Sequence, residues 1–160
     1  MKPLRVYLIA ILLMAGCSRG PQPRMIGSKA PDFTVTDSDR TVSLHDLNGK
    51  IIVLNFWTSW CAPCIEEMPS LVQMQKRMAP KVAVLAVSTD AKDSDYHAFL
   101  VRHQIDLLTV RDEAANSSRL YGTTGQPETF IIDTGGIIRR KFVGPVDWTS
   151  PEITEYLNRL

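Results

Sequence analysis

The apolar positions of the chain fall into short runs and stripes rather than one repeating pattern. Ile51–Trp57 (IIVLNFW) and Val82–Ser88 (VAVLAVS) are almost continuously apolar, each seven residues long. Runs of that length suit strands covered on both faces, as in a parallel or mixed sheet. Between them, Cys61–Met78 reads as a helix with Leu71, Val72, Met74 and Met78 as its apolar positions. Pro69 is expected to kink it, and Pro80 lies just past its end. Asp93–His103 reads as a helix with Phe99 and Leu100 inward, Leu107–Val110 as a third strand, and Ala114–Tyr121 as a short helix stopped by Gly122. Thr129–Ile132 and Ile137–Val143 flank Thr134-Gly135-Gly136, a hairpin signal. Glu152–Leu160 closes the chain as a helix, with Ser150 as N-cap and Pro151 at its first position. Ahead of all these, Ala30–Val35 and Thr41–Ser43 read as a hairpin or extended arm about Asp37-Ser38-Asp39, followed by a helical turn over Leu44–Asn48. The order β-α-β-α-β-α-β-β-α predicts an α/β sandwich with a mixed central sheet.

The first residues follow a different pattern. Lys2 and Arg5 precede an apolar run from Val6 to Ala15. As a helix that run covers about 15 Å, roughly half a bilayer's hydrocarbon core, so it reads as an export signal rather than a span. The residues LMAGCS, Leu13 to Ser18, resemble a bacterial lipobox, with Met14 where leucine is usual. That resemblance implies acylation of Cys17, cleavage of residues 1–16 and a mature N-terminus held at a membrane. Residues 17–29, rich in proline and glycine, read as a flexible tether reaching about 30 Å. Residues 30–160 are then the folded domain.

Composition narrows the function classes. The chain has 160 residues and a formal net charge of +1. Without Lys2 and Arg5 it carries sixteen basic against seventeen acidic residues. That balance gives no support for nucleic-acid binding.

The chemistry centres on Cys61-Ala62-Pro63-Cys64. A zinc site normally needs four ligands, and His45, His97 and His103 have no ligand-like spacing. A static disulfide this short closes too small a loop to stabilise much. Reversible redox chemistry is the favoured reading. At a helix N-terminus a thiolate lies near unpaired N–H groups and the positive dipole end. Lowering a thiol pKa from about 8.5 to about 7 raises the ionised fraction at pH 7 from about 3% to about half, for roughly 2 kcal/mol. Cys64, one turn along, can attack a mixed disulfide formed on Cys61, and Pro63 stiffens the loop.

Phe56-Trp57-x-x-Trp60-Cys61-x-Pro63-Cys64, with Pro69 five residues on, resembles the thioredoxin active-site pattern. With GSKAPDFTVTD, the lipobox and the extra α–β segment near Ala91–Val110, the chain resembles the TlpA/ResA-type thioredoxin-like proteins. The resemblance implies a three-layer α/β/α thioredoxin-like fold with an N-terminal extension and an inserted α–β segment. It implies a membrane-anchored, extracytoplasmic thiol–disulfide oxidoreductase, a monomer using no cofactor beyond its redox-active disulfide. Its partners would be exported protein disulfides, including those of cytochrome c and copper-site maturation, and a membrane thiol-disulfide electron donor. It also implies that Gln126-Pro127 is a cis bond facing the cysteines, with Trp60, Ala62, Pro63, Gln126 and Pro127 around the substrate.

The sequence departs from thioredoxin at Asn55, where that family has a buried aspartate. An amide cannot take the proton, so another acid must. Glu66, Glu67, Asp90 and Asp93 are the candidates, with Glu67 and Asp90 foremost; acids in a first helical turn also simply complement the dipole. Two other functions remain open. A peroxiredoxin-like thiol peroxidase is suggested by the arm from Lys29 to Lys50 and by Thr58 three residues before Cys61, but Leu54 stands where that family has proline. A Sco-like copper carrier would space its cysteines by three residues and add a downstream histidine, and the last histidine here is His103.

Overall fold

The computed structural model of the protein describes residues 25–160. The expected export signal and the expected lipidation at Cys17 lie outside the described residues. A two-stranded hairpin, β1 (Thr34–Thr36) and β2 (Thr41–Ser43), leads into a 3₁₀ turn at Leu44–Leu47. Then follow β3 (Ile51–Trp57), α1 (Ala62–Met78), β4 (Val82–Ser88), α2 (Asp93–Arg102), β5 (Leu108–Arg111), α3 (Asn116–Leu120), β6 (Glu128–Ile132), β7 (Ile138–Val143) and α4 (Pro151–Asn158). The five-stranded sheet has the order β5-β4-β3-β6-β7. β3, β4 and β5 run parallel, and β6 and β7 run antiparallel to their neighbours. This is the mixed α/β sandwich expected.

The six apolar positions of β3 are divided between two cores. Ile51, Val53 and Trp57 meet α1, α2 and α4 through Met68, Leu71, Tyr96, Phe99, Ile153 and Leu157. Ile52, Leu54 and Phe56 face the hairpin, the 3₁₀ turn and Tyr121 on the other side. A run apolar at both parities is therefore what a central strand between two layers requires. Asn55 is the polar exception: it shares the α1 face by parity and is 0% exposed.

Several boundaries differ from the sequence reading for local reasons. α1 begins at Ala62 because Cys61 has extended backbone and serves as N-cap. The helix continues through Pro69 to Met78. α3 begins only at Asn116, because Ala115 is left-handed (φ 51°) and the Asp112 carboxylate takes the Ser117 N–H at 2.7 Å. Ser150 caps α4 by accepting from Ile153 N–H, with Pro151 behind it. Residues 27–29, expected to end the tether, lie with Ala30 against the start of β7. Gly27 N–H donates to Ile138 O, Ile138 N–H to Ser28 O, and Ala30 N–H to Gly136 O.

Candidate active site

Three loops meet at the end of the sheet where β3 gives way to α1. The first is Thr58–Cys61. Cys61 N–H donates to Thr58 O at 3.3 Å, which closes a tight turn before the helix. The Asp90 carboxylate, 1% exposed, fixes that turn. Ser59 N–H donates to both of its oxygens (3.1 and 3.0 Å), Ser59 Oγ to Oδ1 (2.8 Å) and Ser88 Oγ to Oδ2 (2.7 Å). Trp60, between this turn and the cysteine, is 74% exposed.

At the head of α1, Cys61 and Cys64 form a disulfide with their Cα atoms 5.2 Å apart. Cys61 is the outer sulfur, at 6% exposure against 0% for Cys64. The Cys64 N–H donates to Cys61 Sγ at 3.2 Å. The side chain at the N-cap is thus a sulfur receiving an otherwise unpaired helix donor, where negative charge is favoured. Ala62 and Pro63 fill the first positions of the helix, and Pro63 carries no N–H that needs a partner.

The third loop carries a cis peptide bond at Gln126-Pro127. Gln126 Nε2 donates to Thr89 Oγ1 at 3.2 Å, and Thr89 N–H to Trp57 O at 3.0 Å, so this loop is tied to the Asp90 loop and the end of β3. Glu128, 0% exposed, holds the loop from beneath by accepting from Thr124 N–H and Thr124 Oγ1, both at 3.1 Å. Its other oxygen lies 2.7 Å from Lys141 Nζ, an ion pair rather than a well-aligned hydrogen bond.

The four acids singled out from the sequence separate clearly. Glu66 is exposed on α1. Asp93 is engaged by Arg111 and His97. Asp90 is saturated by the contacts above. Glu67 is different: it is 3% exposed, one turn beyond Cys64 on the same helix. Burial pushes its carboxyl up to about 7, against the opposing Val146 N–H and Asn55 amide. Asn55 Nδ2 donates to Glu67 Oε1 at 2.7 Å and Val146 N–H to Oε2 at 3.0 Å. Glu67 also lines an open cavity of about 470 Å³ with Glu66, Pro69, Ser70, Gln73, Pro145, Val146 and Asp147. The segment 145–148 was not among the residues the sequence marked. The one sign it offered is polarity at Asn55 and Thr129 on strands otherwise apolar toward α1.

Among the described residues no cluster of three or more His, Cys, Asp or Glu could hold a metal ion. No helix of the described residues is long and apolar enough to cross a membrane. Residues 26–141, carrying the cysteine turn and the cis-proline loop, match the AhpC/TSA family. The chain belongs to that family. Within it, the chain is 31% identical over 137 residues to the thiol-disulfide oxidoreductase ResA of Bacillus thuringiensis subsp. konkukian, covering 84% of this chain and 78% of the relative. It is 34% identical to the thiol:disulfide interchange protein DsbE of Pseudomonas fluorescens biotype C, covering 91% and 84%. Among solved structures, the provisionally named thiol:disulfide interchange protein DsbE of Chlorobium tepidum superposes with a TM-score of 0.73 at 36% identity, covering 84% and 93%. This AhpC/TSA-family protein is a thioredoxin-like thiol–disulfide oxidoreductase of the ResA/DsbE type.

Proposed function

We propose that the protein reduces disulfides in exported proteins on the outer side of a bacterial membrane, with Cys61 as the attacking thiol and Cys64 as the resolving one. The observation that carries this reading is the Cys61 sulfur at the helix N-cap, accepting the Cys64 N–H. In the reduced protein that position favours the Cys61 thiolate, which attacks one sulfur of a substrate disulfide and expels the other as a thiolate. Cys64 then gives its proton to the Glu67 carboxylate and attacks Cys61 Sγ. The substrate leaves as its second thiolate, two electrons richer, and the Cys61–Cys64 disulfide remains. Glu67, buried and with a pKa near 7, suits a group that takes and returns a proton at neutral pH. Asp90 acts by holding the turn.

Exposed Trp60, with Ala62, Pro63 and the Gln126-Pro127 backbone, forms the surface on which an extended substrate segment lies beside Cys61. A membrane thiol-disulfide donor restores the dithiol. A lipid on Cys17 keeps the monomeric domain at the periplasmic or extracytoplasmic face. The disulfides of cytochrome c or copper-site assembly are the substrates proposed. No metal or organic cofactor is required by this chemistry.

Replacing the resolving thiol tests the assignment. In the full chain, Cys64→Ser should accumulate exported proteins as mixed disulfides on Cys61, and the Cys61→Ser, Cys64→Ser double variant should accumulate none. Absence of Cys61-dependent adducts would overturn the assignment. Peroxide consumption without an added protein disulfide would favour the thiol-peroxidase reading instead.

A further inference from the structure

Asn55 is 0% exposed, and its hydrogen bonding is lopsided. Both hydrogens of Nδ2 are used, one on Glu67 Oε1 at 2.7 Å and one on Thr129 Oγ1 at 2.8 Å. Its Oδ1 has no partner. Buried amides ordinarily have both ends satisfied, so an orphaned carbonyl calls for an explanation. The present arrangement fits an ionised Glu67, which receives one donor on each oxygen, from Asn55 and from Val146. It does not fit a proton on Oε1, because that proton would face the N–H of Asn55. Half a turn of the amide removes the conflict, and carries the Nδ2 hydrogens to the side where Oδ1 now has no protein partner. Oδ1 then occupies the place of Nδ2 and accepts from both the Glu67 O–H and the Thr129 hydroxyl, each of which can donate.

We propose that Asn55 is a two-position partner for Glu67: its amide donates to the carboxylate and turns over to accept from the carboxylic acid. This rests on the reading of Glu67 as the acid that handles the proton of Cys64. Asn55 is a positioning residue, acting on the cysteine pair only through Glu67. It keeps Glu67 in one place in both protonation states, and the orphaned oxygen is the spare acceptor the second state uses. The raised proton affinity of Glu67 agrees with a group that visits both states near neutrality.

The surroundings keep this titration local. On the sheet, the α1-side neighbours of Asn55 and Thr129 are Val53, Trp57, Ala86, Ile131 and Phe142. From α1 come Cys64 and the exposed Glu66, and from the loop after β7 come Asp147 and the Trp148 indole, whose N–H lies near enough to Glu67 to favour its charged form without reaching good hydrogen-bond geometry. Glu66 and Asp147 line the cavity that Glu67 adjoins.

The experiment is a pH titration of the oxidised protein by NMR, following the Glu67 carboxyl carbon and the Asn55 side-chain NH₂ together. The Asn55 signals should move with the same midpoint as Glu67. Asn55 signals that stay fixed while Glu67 titrates would overturn the proposal. In Asn55→Leu both the donor to the charged form and the acceptor for the neutral form are lost, so the Glu67 midpoint should stay within about half a pH unit of the wild type. A midpoint raised by about one pH unit or more would show a fixed donor that does not turn over, and would overturn the proposal. Should Asn55→Leu fail to fold, the wild-type titration still decides. The underlying reading fails separately: a Glu67→Gln protein whose disulfide exchange keeps its pH profile removes Glu67 from the relay, while the Asn55 response is still read from the titration of Glu67 in the wild type.

Discussion

At the scale of single residues, Glu67 carries a charge problem the rest of the site has to manage. Its carboxyl titrates near 7 in the folded protein against 4.5 as the ordinary value, because it is buried. The folded state therefore holds a proton that the unfolded state has lost, between about pH 4.5 and 7. Stability contributed by this group falls as pH rises through that window, by a total of about 3 kcal/mol. Glu67→Gln removes the titration. The stability of this variant relative to wild type should improve by about 3 kcal/mol between pH 4.5 and 8, measured by urea unfolding at each pH. A pH-independent difference would contradict the assignment. The sequence could name Glu67 as one of four acids but could not choose among them. The choice depends on Val146, 79 residues away along the chain, and on Asn55 across the helix–sheet interface. Pro127 was legible as cis only through resemblance, and the second cis bond, Ala79-Pro80, had no signal at all.

At the scale of elements, legibility followed burial. β3 and β4 begin and end where their apolar runs do, because both faces of each are covered and every position is constrained. α3 was read too long, since its start depends on a carboxylate cap from Asp112 rather than on periodicity. The strands also carry the cis-proline loop. Glu128 at the head of β6 is fully buried and reaches up to Thr124, while Lys141 of β7 supplies its countercharge. Lys141→Met leaves that carboxylate without a cation and should destabilise the protein by about 3 kcal/mol. Adding Glu128→Gln should recover most of the loss, which a double-mutant cycle of chemical denaturation would show. If the two changes are simply additive, the pair does not act as a unit.

At the scale of the whole molecule, the exchange site and the chain's entry into the fold lie at opposite ends of β7. Residues 27–30 dock at Ile138, whereas Val143 pairs with Glu128 beside the cis-proline, about 17 Å away along the strand. For the full chain carrying the lipid proposed at Cys17, reconstituted in liposomes, reduced Cys61 should react with a bulky, membrane-impermeant maleimide as fast as in the lipid-free domain. Slowing by the bilayer would show that the dithiol lies against it. Under the proposed attachment at Cys17, the consequence is one of orientation: the end of the domain where the chain enters lies toward the membrane and the sulfurs lie at the far end. Clients in the surrounding compartment would then meet the sulfurs directly, while the proposed donor in the lipid would have to reach across the height of the domain.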